Sequence, residues 1–280
     1  MTHALPILLL AAALSPMPKA HAQAISAPRQ DDAVSQPVAR AVVPGGYESA
    51  GRIGLAGEAE VGRAAVVVQQ HPIALGPLIV IGFMGGNVSA GNLVHREALV
   101  AKELEQRYPR TLHAAVFANR DGQSALRTVL QRLDADGDGQ LSAKEKSAAR
   151  IVIYGHSWGA SETVTLARRL NELGIPVLLT IQVDSVGKLN ENDGSIPPNV
   201  REAVNFYQTE GLLHGRTLIA AMDPARTTIL GNYESSYRDH PVSCAGYPWF
   251  ARAFMKPHIE IENDPSVWAR IEALIRTEMP

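Results

Sequence analysis

The chain has 280 residues, 46% of them hydrophobic and 19% charged, with a formal net charge of −2. That length can bury a substantial core, and the composition excludes a mostly disordered chain, a disulfide-stapled miniprotein and a collagen-like fibre. Lys and Arg (26) do not outnumber Asp and Glu (28), so no global basic surplus exists to hold nucleic acid, and no such partner is expected. The single cysteine, Cys244, cannot pair within the chain and reads as a small interior thiol.

In chain order, the first feature is the apolar run LPILLLAAAL at residues 5–14, followed by Ala20-His21-Ala22. A short apolar stretch ended by a small-residue A-x-A site has the form of a cleavable secretory signal over residues 1–22, so a secreted or periplasmic location is expected. Residues 23–46 are rich in Ala, Pro, Gln and Val, contain no aromatic residue, and read as a flexible leader or spacer. Residues 47–280 then form the folded domain. No other apolar run is long enough to cross a bilayer, so no membrane span is expected in the mature chain.

Within that domain, compact apolar runs predict strands at residues 64–68 (AAVVV), 77–82 (PLIVIG), 113–117 (HAAVF), 151–154 (IVIY), 177–183 (VLLTIQV) and 203–207 (AVNFY). Short continuous runs of this kind suit strands buried on both faces, as in a parallel sheet. Helical spacing of apolar residues predicts helices at 93–107, 124–133, 160–173 and 265–277. The last presents Trp268, Ile271, Leu274 and Ile275 as its apolar face. Strand and helix alternate, which points to an α/β domain with a mostly parallel central sheet and helices on both faces.

The most informative junction is Ile151-Val152-Ile153-Tyr154-Gly155-His156-Ser157-Trp158-Gly159-Ala160. A buried strand runs into G-x-S-x-G and directly into a helix. Such a turn raises a serine hydroxyl above the sheet edge, and its flanking glycines admit neighbouring backbone. At these residues the chain resembles the α/β-hydrolase superfamily, particularly its esterase, lipase and thioesterase-like members, from about Ala64 to the C-terminus. The glycine-bearing stretch Gly82-Phe83-Met84-Gly85-Gly86-Asn87 after an early strand adds to the likeness, although Ile81 stands where such loops begin with histidine. The resemblance implies an α/β-hydrolase fold, with Ser157 as nucleophile. It also implies an oxyanion hole built from the amide of Phe83, with Met84 second, and that of Trp158.

It further implies the chain order Ser, then Asp or Glu, then His. Three histidines follow Ser157: His214, His240 and His258. The resemblance places the base at His258, in a polar loop ahead of the final helix, with His240 and His214 as alternatives. For the acid, Asp184 ends the strand at 177–183 and so emerges on the same sheet edge as Ser157. Asp223 and Glu210 remain rivals. His156 reads as a neighbour packing beside the turn. Met84, Trp158, Trp249, Phe250 and Phe254 are candidates for an apolar pocket, and residues 238–257 for a lid or a surface connection.

A second motif lies ahead of the Ser157 strand. Residues 134–145, DADGDGQLSAKE, match an EF-hand calcium loop. Asp134, Asp136 and Asp138 are spaced to converge as oxygen ligands, Gly139 permits the sharp turn, and Gln140 offers its backbone carbonyl. Ser142 binds directly or through water, and Glu145 closes the site. A structural calcium ion is therefore expected, and no organic cofactor.

Two functions follow. The first is a secreted serine hydrolase acting on an ester or thioester of a small-molecule or lipid-like acyl substrate. The other is a non-catalytic calcium-binding protein on a degenerate hydrolase scaffold.

Overall fold

A computed structural model of the chain describes residues 76–188 and 191–279. The expected signal, spacer and strand at 64–68 lie outside the described residues. In order, the elements are β1 (Leu78–Met84), α1 (Arg96–Arg107), β2 (Leu112–Ala118), α2 (Gly122–Leu133), α3 (Ala143–Ser147), β3 (Ile151–His156), α4 (Trp158–Glu172) and β4 (Val177–Val183). There follow β5 (Ser195–Ile196), β6 (Val200–Tyr207), β7 (Ala220–Ala221), β8 (Thr228–Glu234), α5 (Trp249–Phe254), α6 (Lys256–Asn263) and α7 (Pro265–Thr277).

Six strands make one sheet in the order β2-β1-β3-β4-β6-β8, and every neighbouring pair in it is parallel. The short β5 and β7 pair separately. Parallel strands need crossover connections, and the helices that supply them cover both faces. This explains why the strand sequences are continuous apolar runs rather than alternating ones. In β1, Ile79, Ile81 and Phe83 pack with Ala125 and Val129 of α2 and with Val164 and Leu170 of α4. The intervening Leu78 and Val80 pack on the other face with Val100 and Leu104 of α1 and with Trp268 and Ile271 of α7. Period-two alternation thus feeds two cores rather than one core and solvent.

Helix α7 begins where the sequence signals it. Asp264 caps it by accepting the Ser266 amide at 2.8 Å, and Pro265 occupies the first turn, where its missing N–H costs no hydrogen bond. Its Trp268 is fully buried and meets the Tyr154 ring edge-on at a centroid distance of 6.2 Å. Among the described residues no helix is long and apolar enough to cross a membrane.

Besides the short β5, β7 and α5, which no apolar pattern announces, two elements depart from the sequence expectation. Strand β8 was not predicted, because Thr-Ile-Leu-Gly-Asn-Tyr-Glu carries no continuous apolar run; it is a half-exposed edge strand that needs only one covered side. The segment around His258, expected as a polar loop, is helix α6. Pro257 sits in its first turn, where proline is tolerated, and Glu260 and Glu262 are buried rather than solvated.

The chain leaves β1 for the edge strand β2 and returns on the opposite side of β1 as β3. The sheet order therefore reverses between β1 and β3. The crevice beyond the C-terminal ends of those strands is where parallel α/β sheets place their ligands. This sheet, its covering helices and the strand-turn-helix at Ser157 make up an α/β-hydrolase fold.

Candidate active site

Ser157 lies at that reversal, between β3 and α4. Its backbone has φ 57° and ψ −123°, a conformation that costs a non-glycine residue on the order of 1–3 kcal/mol. The surroundings enforce it. The Ser157 amide donates to the Val183 carbonyl at 2.9 Å, and its own carbonyl accepts from Ala160, Ser161 and Val186. Gly155 and Gly159 are required by close approach: a Cβ on Gly155 would lie 2.5 Å from the Gly159 backbone, and one on Gly159 2.2 Å from the Phe83 carbonyl oxygen.

The serine hydroxyl lies 2.9 Å from Nε2 of His258, whose Nδ1 lies 2.7 Å from Oδ2 of Asp184. All three residues are buried, Asp184 completely. Asp184 follows β4 with a positive φ of 43°, its amide donating to the Phe206 carbonyl at 2.7 Å. Its carboxylate also accepts from the Gln208 side chain at 2.8 Å and from the Gly215 amide at 2.7 Å. Burial pushes the Asp184 carboxyl up, but the bonds from His258, Gln208 and Gly215 outweigh it and hold the group below the ordinary value. A charged Asp184 only accepts, so it fixes the proton on Nδ1 of His258 and leaves Nε2 free to accept from Ser157.

The rival residues are elsewhere engaged. Glu210 accepts from Ser236 and, at 2.8 Å, from the Tyr237 amide; Asp223 accepts from the Ala225 amide at 3.0 Å. His240 is exposed, and the His214 ring lies against the Gly215 carbonyl. None of the four meets Ser157 in the hydrogen bonds of the described residues.

The oxyanion assignment needs correction. Phe83 and Met84 belong to β1, which pairs with β2 along its whole length and with β3 up to Phe83. The Leu78 amide donates to Thr111 and the Ile79 amide to Arg150, so alternation directs the Phe83 amide toward β3 and the Met84 amide toward β2. Both are committed to the sheet, and both side chains are fully buried, which also removes Met84 from the pocket candidates. The backbone beside the serine is Gly85 instead: a Cβ there would stand 3.3 Å from the Ser157 Cβ. The Gly85 amide donates to Glu97 at 3.0 Å. The amides of Gly86 (φ 50°) and Trp158 have no hydrogen-bond partner among the described residues. Trp158 is part-exposed, and Trp249 and Phe254 are largely exposed.

His156 packs beside the turn, as its place in the elbow implies, but sequence reasoning missed the groups behind it. Beneath the triad, the buried His156 ring lies against His258 at a centroid distance of 4.5 Å and a tilt of 37°, and its Nε2 lies 3.0 Å from the His258 carbonyl. Burial holds His156 at a pKa of about 4, so it is neutral at ordinary pH. Beyond it lie the buried carboxyls of Glu97 and Glu262 and the ring of His95. Burial, with the nearby Glu262 charge, raises Glu97 well above the ordinary carboxyl range. The H-x-E spacing of His95 and Glu97 and the H-x-x-x-E spacing of His258 and Glu262 were the available signals, weak ones without a fold.

The loop ahead of β3 is exposed. The carboxylates of Asp134, Asp136 and Asp138 lie within 4.8 Å of one another. Asp134 accepts from the amides of Gly137, Asp138 and Gly139, and Asp138 from that of Gln140. Glu145 accepts the Ala135 amide at 2.7 Å and forms a capping box with Ser142 at the start of α3. Gly137 and Gly139 both have positive φ, 73° and 80°. Of the expected ligands the three aspartates converge, while Glu145, engaged by Ala135 and Ser142, lies outside their group.

No family model matches the chain, and no curated protein matches it. Among solved structures it is similar to the RedJ thioesterase of the prodiginine biosynthetic pathway in Streptomyces coelicolor, at 10% identity over 73% of this chain and 91% of that one, TM-score 0.39. It is similar also to a thermostable esterase from Pseudomonas putida, at 10% identity over 72% and 73%, TM-score 0.34. A third is a dienelactone hydrolase-like promiscuous phosphotriesterase from metagenomic libraries, at 15% identity over 73% and 88%, TM-score 0.32. Likenesses this distant assign no activity, and the chain's α/β-hydrolase fold rests on its own strand order and its strand-turn-helix at Ser157.

Proposed function

We propose that the protein is an exported serine hydrolase that cleaves carboxylic ester or thioester bonds through an acyl-enzyme. The observation that carries this reading is the continuous chain Ser157 Oγ to His258 Nε2 (2.9 Å) and His258 Nδ1 to Asp184 (2.7 Å), mounted on a strained serine. His258 takes the hydroxyl proton as Ser157 attacks the acyl carbon, and Asp184 stabilises the imidazolium that forms. The Trp158 amide, next to the nucleophile and without a partner among the described residues, supports a role as oxyanion donor, and the Gly86 amide is proposed as the second. His258 then returns the proton to the departing oxygen or sulfur. Next it deprotonates the water that releases the acyl group, regenerating Ser157. Trp158, part-exposed and adjacent to the nucleophile, supports an apolar acyl chain. The leader at residues 1–22 supports export.

Calcium in the 134–145 loop is proposed as a structural ion, held by Asp134, Asp136, Asp138, the Gln140 carbonyl, Ser142 and Glu145. It would neutralise crowded carboxylates just ahead of the strand that carries Ser157. It takes no part in the reaction.

The test is a panel of p-nitrophenyl esters and acyl thioesters of graded chain length, assayed with the parent chain and Ser157→Ala in calcium. Turnover that disappears in Ser157→Ala is expected. Turnover equal in both chains, or none by the parent on any substrate, favours the non-catalytic calcium-binding scaffold.

A further inference from the structure

Four side chains from three separate parts of the fold converge in the interior beneath the triad. His95 is the residue before α1, Glu97 lies in the first turn of α1, His156 ends β3, and Glu262 lies one turn after His258 on α6. Nδ1 of His95 is 2.6 Å from one Glu262 oxygen, and Nδ1 of His156 is 3.3 Å from the other. The His156 nitrogen also lies 4.0 Å from a Glu97 oxygen. One ligand atom each from His95, Glu97 and Glu262 falls within a 4.8 Å circle. Glu97 and Glu262 are 0% and 2% exposed.

Two buried atoms of these side chains have no hydrogen-bond partner: Oε2 of Glu97 and Nδ1 of His156. The second is instructive. Nε2 of His156 faces the His258 carbonyl, which only accepts, so Nε2 carries the ring proton. Nδ1 therefore turns a lone pair toward two carboxyl groups, and lone pairs facing one another in the interior need a proton or a cation between them. A histidine that donates its outer N–H to a backbone carbonyl while its other nitrogen faces converging donors has the second-shell arrangement of a metal ligand. Glu97 is held similarly, with Oε1 accepting the Gly85 amide at 3.0 Å and Oε2 free.

We propose that His95, Glu97, His156 and Glu262 form a buried site for a divalent transition metal of the zinc class, distinct from the calcium loop. Two neutral imidazoles and two carboxylates neutralise a divalent ion, which suits a buried site. Nitrogen donors favour zinc or cobalt over calcium and magnesium. Tetrahedral ligands at zinc bond lengths stand about 3.4 Å apart; three of the donor contacts, at 2.6, 3.3 and 4.0 Å, lie around that value, and His156, which falls outside the 4.8 Å group, moves inward to join the other three. The ion would join α1, β3 and α6. Through Glu97 it would also reach the Gly85 turn.

The test uses the full mature chain, stripped with a chelator and then held in millimolar calcium to saturate the acidic loop. Cobalt(II) and zinc are titrated in, read by visible cobalt absorption, by bound metal after desalting, and by melting temperature. One ion per chain, intense tetrahedral cobalt absorption and a raised melting temperature are expected. His95→Ala, at the most accessible ligand, should weaken binding about 100-fold or more, and Glu262→Gln likewise, while Asp134→Ala binds as the parent does. Circular dichroism confirms that each variant is folded. If the parent retains no metal, the cluster instead shares a proton between its carboxyls and the proposal fails. Binding lost in Asp134→Ala but kept in His95→Ala also overturns it.

Discussion

Two regions of this protein gather carboxylates, and they hold them in opposite ways. At the C-terminal edge of the sheet, Asp184 is fully buried, yet it accepts bonds from His258 on α6, Gln208 after β6 and Gly215 in the following loop. Its position is fixed by elements distant in sequence, and it exists only when the sheet is assembled. In the 134–145 loop the carboxylates are exposed or partly so, and the amides they bind belong to the loop itself. That loop takes its hydrogen bonds from within itself, is tied to the core through Leu141, and keeps three carboxylates within 4.8 Å. A buried acid is stabilised by its partners, whereas an exposed acidic turn is stabilised by a counter-ion.

The contrast can be broken at several points. The largest effect is expected on chemistry: Ser157→Ala should lower kcat on the order of a million-fold, with little change in melting temperature. Asp184→Asn should cost about 10,000-fold in kcat, because it can hold His258 in the wrong tautomer. Asp184 has a second expected signature. Its folded pKa is depressed, so its stabilising contribution is present above the ordinary aspartate value and is lost as pH falls through the folded value. Acid titration of stability should show that loss in the parent and not in Asp184→Asn.

Effects on folding come next. Trp268→Ala empties a fully buried site against Tyr154 and should destabilise the domain by about 3–5 kcal/mol in denaturant unfolding, without altering calcium affinity. The smallest effect belongs to the loop. Calcium at about 100 times its dissociation constant should add about 2.7 kcal/mol of stability, and Asp134→Ala or Glu145→Gln should abolish that gain. Serine chemistry should persist in both loop variants. If they lost it, the two regions would be coupled rather than contrasted.

What could be read in the sequence followed the same division. The five described apolar runs that read as strands are strands, because burial on both faces writes itself locally in the residues. The elbow was legible too, since its glycines and serine are contiguous. The loop matched a motif for a similar reason: its partners are its own neighbours. The residues that orient and support Asp184 and His258 were not legible. Gln208 and Gly215 carry no local signal, and the His95–Glu262 contact joins positions 167 apart. Glu260 and Glu262 made α6 read as a solvated loop, because the Val242 amide and the His95 and His156 rings that meet them come from elsewhere in the fold. Phe83 and Met84 read as oxyanion donors because the sequence did not show that β1 continues to Met84.

The most direct test of the central claim is covalent. The mature chain is incubated with a fluorophosphonate in calcium, its intact mass is measured, and the adduct is located by peptide mapping. A single adduct on Ser157, absent from Ser157→Ala and strongly slowed in His258→Ala, is the predicted result. A chain that stays unmodified, or one modified at another residue, would contradict the reading of Ser157 as an activated nucleophile.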